Sequence, residues 1–323
     1  MGEAEVFLDA NENPFDTGYN RYPDPGQAAV KRALAAYKDV RAEQIFLGNG
    51  SDEAIDLLLR IFCEPGQDSI LILPPTYGMY RVSADINDVA VREVPLTTKF
   101  QLDPDAILAA VTPQTKLLFI CSPNNPTGNA LDPAAIQTLC AQFPGITVID
   151  EAYADFSRAE SATGWLDQYE RLVVLQTFSK AWGLAGARLG IAYGSPEMIA
   201  LFNKTKPPYN VNALTQRVAL DALTNSDRKE AWVQTLLAER HRLRAALDAL
   251  DFVQHIYPSD ANFLLVRFTD PRAVYQHLVD QHIVVRDRSR VHRCAGCLRF
   301  TVGTPAENDR LLASLRSFAA VPH

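Results

Sequence analysis

Between about residues 43 and 194 the chain alternates short apolar runs with segments of helical length. Ile45–Leu47, Ser69–Leu73, Lys116–Cys121, Thr147–Asp150, Leu172–Gln176 and Leu189–Tyr193 are strand-sized and nearly continuous in apolar side chains. Ser51–Phe62 sits between two of them and sets Ile55, Leu58, Leu59 and Phe62 at helical spacing. Strands apolar on both faces and separated by helices predict a mostly parallel sheet covered on both sides, an α/β fold. A further helix is predicted from Gln27 to about Tyr37. Ahead of it, Asp9-Ala-Asn-Glu-Asn-Pro14 and Arg21-Tyr-Pro-Asp-Pro-Gly26 are too rich in turn residues for a helix and read as an extended arm. Past about residue 210 the texture changes. Residues 212–250 read as long helices, and Asn262–Arg267, Ile283–Arg286 and Cys297–Val302 as strands of a smaller α+β unit closed by a helix over Asn308–Phe318. The expected division is an arm (1–26), a large unit (27–220) and a small C-terminal unit (221–323).

Composition narrows the class. The chain of 323 residues is 47% hydrophobic and 21% charged, which is ordinary for a globular protein with a large core. A net charge of −7 with no basic run argues against a nucleic-acid partner. No apolar run approaches the ~18 residues of a membrane helix, and no basic segment followed by an apolar stretch marks a secretory signal. A cytoplasmic protein without a membrane partner is expected. Five cysteines, an odd number, fit free thiols in a reducing compartment. Cys294 and Cys297 have zinc or redox spacing with His292 nearby, but no second ligand pair is evident, so a loop with two free thiols is the expectation. All six histidines lie between His241 and His323, away from the polar clusters described next, and no metal is expected. The basic run Arg288-Ser-Arg-Val-His-Arg293 is read as a solvated loop, and Thr301-Val-Gly-Thr304 as strand-end packing.

In an open parallel sheet, ligands gather beyond the carboxyl ends of the strands. Five apolar runs here end in polar clusters: Gly48-Asn-Gly-Ser-Asp52, Pro74-Pro-Thr-Tyr-Gly78, Ser122-Pro-Asn-Asn-Pro-Thr-Gly128, Asp150-Glu-Ala-Tyr153 and Thr177-Phe-Ser-Lys180. There are 8 lysines against 23 arginines, so lysine chemistry has few candidates. Lys180 precedes a run of small residues and fits either a surface lysine or a desolvated Schiff-base lysine; the other seven mostly carry helix-surface or charged surroundings. Gly48–Asp52 opens a helix whose free amides suit an anion, although such turns are common. Ser179 and Arg188 offer a hydroxyl and a fixed cation to the same anion, and Arg188 equally suits a structural carboxylate. Asp150 either caps the next turn or supplies an anion that keeps a pyridine nitrogen protonated. Tyr153 and Asn125 suit a phenolic oxygen on such a ring. Asn125 also fits plain turn chemistry, and Tyr77 suits either ring stacking or core filling.

Lysine, aspartate, tyrosine, asparagine and a helix N-terminus in this order resemble fold-type I pyridoxal-phosphate enzymes of the aspartate aminotransferase superfamily. A fuller set of motifs is similar to the histidinol-phosphate aminotransferase family of class II. It comprises Asp9–Pro14, Tyr22-Pro-Asp-Pro25, Gly48–Glu53, Pro75-Thr-Tyr-Gly-Met-Tyr80, Cys121–Gly128, Asp150–Tyr153, Thr177–Arg188, Lys206–Asn212, Val285-Arg-Asp-Arg288 and Leu298-Arg-Phe-Thr-Val-Gly-Thr304. The motifs run from about residue 8 to 311. The resemblance implies a seven-stranded, mostly parallel sheet and pyridoxal 5'-phosphate as cofactor. It implies Lys180 as the Schiff base and proton shuttle, Asp150 on the pyridine nitrogen, Tyr153 and Asn125 on the phenolic oxygen and Tyr77 on the ring face. Ser51 and Asp52 (through their amides), Thr177, Ser179 and Arg188 are implied around the cofactor phosphate. Tyr22 is implied to reach the phosphate site of a neighbouring subunit in a homodimer. Arg299 is implied to take the glutamate carboxylate and, with Arg286, the phosphate of an amino-phosphate substrate, with Tyr22 and Asn125 beside them. The short arm before Asp9 departs from the pattern and leaves its dimer contacts less defined. The implied reaction moves an amino group between L-histidinol phosphate and 2-oxoglutarate. An aromatic aminotransferase and a phosphothreonine-type decarboxylase share most of these motifs. A cofactor-binding regulator would need a DNA-binding domain, for which 26 arm residues are too few.

Overall fold

The computed structural model describes residues 6–319; the first five residues of the arm and the last four of the chain, His323 among them, lie outside the described residues. Its larger sheet has seven strands: β1 (Ile45–Asn49), β2 (Ser69–Ile72), β3 (Ala90–Glu93), β4 (Thr115–Cys121), β5 (Ile146–Asp150), β6 (Leu172–Thr177) and β7 (Leu189–Tyr193). They lie in the order β1-β7-β6-β5-β4-β2-β3. All neighbours are parallel except β7, which runs antiparallel to both β1 and β6. The expected α/β architecture with a mostly parallel sheet is therefore what forms.

Alternation explains why these strands read as continuous apolar runs. Ile45, Leu47, Leu118, Ile120, Leu172 and Val174 enter one core. Their neighbours Phe46, Leu117, Phe119, Val173 and Leu175 enter the core on the opposite face. The first core is covered by helices α1 (Ala28–Lys38), α4 (Pro104–Ala109), α5 (Pro133–Gln142) and α7 (Ala213–Thr224). The second is covered by α2 (Ser51–Phe62), α3 (Met79–Ile86) and α6 (Pro196–Thr205). In α2, Ile55, Leu58 and Leu59 are fully buried, as their spacing predicts, and Phe62 is partly so. Four helices begin at an Asp-Pro or Ser-Pro step. Asp103, Asp132, Ser195 and the later Asp270 each accept a hydrogen bond from an amide of the first turn. The proline that follows fills a position needing no amide donor.

The smaller sheet is antiparallel, with strands β8 (Val253–Ile256), β9 (Phe263–Phe268), β10 (Arg286–Asp287) and β11 (Cys297–Thr301) in the order β10-β11-β9-β8. One face packs on α8 (Ser226–Asp248), α9 (Pro271–Asp280) and α10 (Pro305–Ala319) through Leu264, Val266, Phe268, Leu298 and Phe300. From the other face, Leu265 and Cys297 join the first core of the large sheet. Three expectations shift. β3 and β8 are edge strands absent from the sequence reading, and both carry exposed polar residues. Residues 283–285 are not in a ladder, which starts only at Arg286. The last helix starts three residues early, at Pro305, where Thr304 and Glu307 bond each other's backbone amides as a capping box.

The backbones of β7 and the start of α2 touch at Gly190. A Cβ there would lie 2.0 Å from the Ser51 amide nitrogen and 2.2 Å from the Gly50 carbonyl carbon. Gly190→Ala is expected to cost at least the ~1–3 kcal/mol of an overpacked core. It should also push the α2 N-terminus away from β7. Urea unfolding read beside cofactor affinity checks this; unchanged values of both would refute the close approach.

Candidate functional site

Five strand ends and one strand start meet at one edge of the large sheet. β1, β2, β4, β5 and β6 deliver Gly50, Tyr77, Cys121, Asp150 and Thr177 from their carboxyl ends. Because β7 runs the other way, the residue before it, Arg188, arrives at the same edge. Together with Ser51, Asp52, Asn125, Tyr153, Ser179 and Lys180 these residues line a cavity of about 140 Å³. The structure thus gathers ten of the anticipated residues in one place. Tyr22, Arg286 and Arg299 are not among the cavity-lining residues. Arg299 reaches it through Asn125, and Tyr22 lies apart, stacked on Tyr209 with ring centroids 4.3 Å apart.

At one end of the cavity α2 begins at Gly50 with φ of 76° and no side-chain cap, so its first amides are not taken by the residue before them. A Cβ on Gly50 would meet Arg188 Nη2 at 2.7 Å, so glycine leaves room for the guanidinium. Arg188 makes a 3.4 Å ion pair with Asp52, whose other oxygen accepts from Tyr77 at 3.1 Å. Thr177 Oγ1 accepts from the Ser179 amide, which fixes the turn that carries Lys180.

At the floor stands Asp150, buried at the end of β5. Its Oδ2 accepts from the Tyr80 hydroxyl at 2.6 Å and its Oδ1 from the Ala152 amide at 3.1 Å. Burial raises the Asp150 pKa, and these two hydrogen bonds pull against that rise. Tyr80 was not anticipated as a site residue. It closes the quoted run Pro75–Tyr80, but nothing in the run shows that its hydroxyl meets a carboxylate 70 positions on. Lys180 Nζ lies 5.5 Å over the Tyr153 ring. Its pKa is lowered, first by the protein packed around it and then by the Arg299 charge, while Asp150 and Asp52 oppose the fall. Tyr153 is pushed well up by burial. Asn125 Nδ2 approaches the Tyr153 hydroxyl at 3.5 Å, and Arg299 Nη1 donates to Asn125 Oδ1.

The loop carrying Asn125 is held from both sides. Asn124 Nδ2 donates to the Pro75 carbonyl and to Thr127, and the Asp260 amide donates to the Gly128 carbonyl at 2.7 Å. Arg286 stands opposite Arg299 in the β10–β11 ladder. The segment 288–293 is not a plain solvated loop. Arg288 is half-buried, Arg293 donates to the Leu96 carbonyl, and Val291 packs on the large core. Cys294 and Cys297 are free but buried, and burial pushes the Cys294 thiol up to about 12.

This donor set fits pyridoxal phosphate. An uncapped helix terminus, two hydroxyls and a guanidinium match a phosphate dianion. Across the cavity, a buried carboxylate, a lysine with a lowered pKa and two phenol-directed polar groups match a hydroxypyridine aldehyde.

Residues 5–315 match the family model for aminotransferase class I and II. The chain belongs to that family and is a pyridoxal-phosphate-dependent aminotransferase. Similar relatives are the histidinol-phosphate aminotransferases of Cytophaga hutchinsonii (55% identical, covering 98% of this chain and 92% of the relative) and Parabacteroides distasonis (52%, covering 98% and 92%). Among solved structures, the histidinol-phosphate aminotransferase of Clostridium acetobutylicum superposes with a TM-score of 0.87 at 23% identity, covering 94% of this chain and 92% of that one. The Sinorhizobium meliloti histidinol-phosphate aminotransferase in complex with pyridoxal-5'-phosphate gives 0.83 at 24%, covering 92% and 84%. These two show the shared fold. Among the described residues no helix is long and apolar enough to cross a membrane.

The charges around Lys180 set signs that a titration reads. In the cofactor-free protein the Lys180 amine should react with a reductive labelling reagent at lower pH than an ordinary lysine. Arg299→Gln removes a cation and should move the midpoint up; Asp150→Asn removes an anion and should move it down. Peptide mass analysis across pH checks both. Shifts of the same sign in the two variants would contradict the electrostatics described.

Proposed function

We propose that this aminotransferase moves the amino group between L-histidinol phosphate and 2-oxoglutarate, giving imidazole acetol phosphate and glutamate. The observation that carries the reading is the pair Arg286 and Arg299, opposite each other beside the cavity and neither ion-paired to a carboxylate among the described residues. Both substrates bring an anion that a guanidinium fork can grip, and the 50–55% identical relatives carry this enzyme's name.

Bound pyridoxal phosphate supplies an electron sink for charge at the substrate's α-carbon and a carbon that carries the amino group. Lys180 would hold the cofactor at its aldehyde carbon and, once the amino substrate has displaced it, would carry the proton at the substrate's α-carbon; its lowered pKa favours the free amine that both roles need. Asp150 holds the pyridine nitrogen protonated. Tyr80 and the Ala152 amide donate to its carboxylate and oppose the rise in pKa that burial imposes. Tyr153 and Asn125 hold the phenolic oxygen, and Tyr77 lies on the ring face. The amides of Ser51 and Asp52, with Thr177, Ser179 and Arg188, hold the cofactor phosphate. Arg299, steered by Asn125, takes the glutamate carboxylate and shares the substrate phosphate with Arg286.

The reading includes a cytoplasmic homodimer with shared sites. Tyr22 is 57% exposed, and Phe7, Leu8 and Phe15 of the same arm are more than half exposed, an apolar strip suited to a second subunit. It also includes the arm (1–26), a cofactor-holding unit (27–220) and a closing unit (221–323). Helix α7, which spans the proposed boundary, packs on the first core through Ala219, Ala222 and Leu223.

The holoenzyme should be yellow, and borohydride should fix the cofactor to Lys180. In single turnovers, histidinol phosphate should convert it to the amine form while phosphothreonine and phenylalanine react at least tenfold more slowly. Equal rates with all three would reject the substrate, and carbon dioxide release without a keto acid would mark a decarboxylase. Tyr22→Phe should speed cofactor loss on dialysis. A fully active monomer at high dilution would refute the shared site.

A further inference from the structure

The small-sheet face turned toward the cavity carries four arginines. Arg286 opposes Arg299, Arg299 opposes Leu265, and Cys297 opposes Arg267. The Arg288 amide donates to the Cys297 carbonyl at 2.9 Å, which continues the same register. Opposed residues and residues two apart share a face. Arg267, Arg286, Arg288 and Arg299 therefore stand on one side, with Leu265 and Cys297, which belong to the core shared with the large sheet. None of the four makes an ion pair with a carboxylate among the described residues.

Two of them have protein partners. Arg299 donates to Asn125 and lies 5.0 Å over the Phe263 ring. Arg267 donates to the Tyr257 hydroxyl at 2.6 Å. Arg267 and Arg288 share a buried Nε without a partner, but Arg288, half-buried, has a guanidinium that makes no hydrogen bond at all among the described residues. Its surroundings add to the cost, since Arg299 and Arg286 both repel its charge. A structural arginine would be satisfied by carbonyls, as Arg293 is by Leu96 five residues later in the same segment. A half-buried cation among cations, left without an acceptor, is stabilised only when an anion arrives.

We propose that Arg288 is a specificity residue that, with Arg286, takes the additional charge and oxygens of a phosphate monoester. The inference rests on the substrate reading above. An amino acid presents one charge and two coplanar oxygens next to its α-carbon. A phosphate ester at that position presents two charges and three terminal oxygens, set further out by the intervening methylene and ester oxygen. Arg299, tethered by Asn125, meets the nearer part of either anion. Arg286 and Arg288, without tethers, suit the added charge and oxygens of the larger one. Discrimination then comes from a cation that the smaller anion leaves uncompensated.

The test uses holoenzyme with histidinol phosphate and unphosphorylated histidinol as alternative amino donors in single turnovers. Wild type should prefer the phosphorylated donor. Arg288→Gln should reduce that preference at least tenfold, chiefly through a higher apparent Kd, and Arg288→Lys should recover part of it. Inorganic phosphate should raise the Tm of wild type more than that of Arg288→Gln, a readout independent of turnover. A wild-type preference that survives intact in a folded Arg288→Gln, or an equal phosphate-dependent Tm shift in both proteins, would overturn the role of Arg288 alone. A wild-type enzyme indifferent to the phosphate group would overturn the substrate reading and this inference with it.

Discussion

The contact of two backbones at Gly190 and Gly50 is the constraint on which the site depends. It seats the first turn of α2 against the one reversed strand of the sheet. A helix N-terminus and the residue preceding a reversed strand then converge on the same point. That convergence brings the partial positive charge of the α2 terminus beside the full charge of Arg188. Arg188 itself takes the left-handed conformation, with φ of 53°, at a cost of about 1 kcal/mol for a residue bearing a Cβ. The Gly50 amide bonds the Arg188 carbonyl at 2.8 Å and helps to hold that conformation. Two glycines without side chains thus create the most cationic corner of the cavity.

The opposite requirement operates at the floor. Asp150 is buried between β4 and β6, where an isolated carboxylate would take up a proton. Tyr80 opposes the rise in pKa that burial imposes, and it is itself fixed, fully buried and stacked on Phe119 at 4.6 Å. Lys180 lies between this anion and the arginines of the small sheet, and their effects on its pKa oppose each other. Packing of the protein around the lysine outweighs them and lowers its pKa. The cavity therefore runs from an anionic floor to a cationic rim, with the amine between them.

Much of this was legible in the chain because a strand buried on both faces must end abruptly where its ligand edge begins. Asp150, Thr177 and the Gly48–Asp52 turn each follow an apolar run directly, so their placement follows from the pattern. Four helices start at a proline after Asp or Ser, an equally local signal, although the apolar pattern did not anticipate them. What escaped depends on partners far away in sequence. β3 and β8 are edges with polar exposed residues, so neither has the apolar run by which a central strand is recognised. Ile283 and Val285 are apolar because they pack against the small core, not because they pair in a ladder. Tyr80 gains its role from a carboxylate 70 positions away, and Arg288 from a register that only the folded sheet defines. A run of basic residues looks like a solvated loop until alternation turns some of them inward.

The same distinction resolves the contradiction between an acidic protein and an anion site. A net charge of −7 is spread over the whole surface, and at physiological salt its field is screened within about 8 Å. At the cavity rim the local set of arginines outweighs it, and among the described residues no carboxylate pairs with any of the four. Arg299 belongs to the small sheet and Asn125 to a loop of the large one, so the hydrogen bond between them joins the two. The Asp260 amide reaches the same loop at Gly128, and its carboxylate reaches the Ala130 amide. The arginine face is therefore positioned by contacts to a loop of the large sheet that lines the cavity. Asn125 accepts from Arg299 and approaches the Tyr153 hydroxyl, so a single side chain at the cavity couples the charge of the small sheet to the polar groups of the large one.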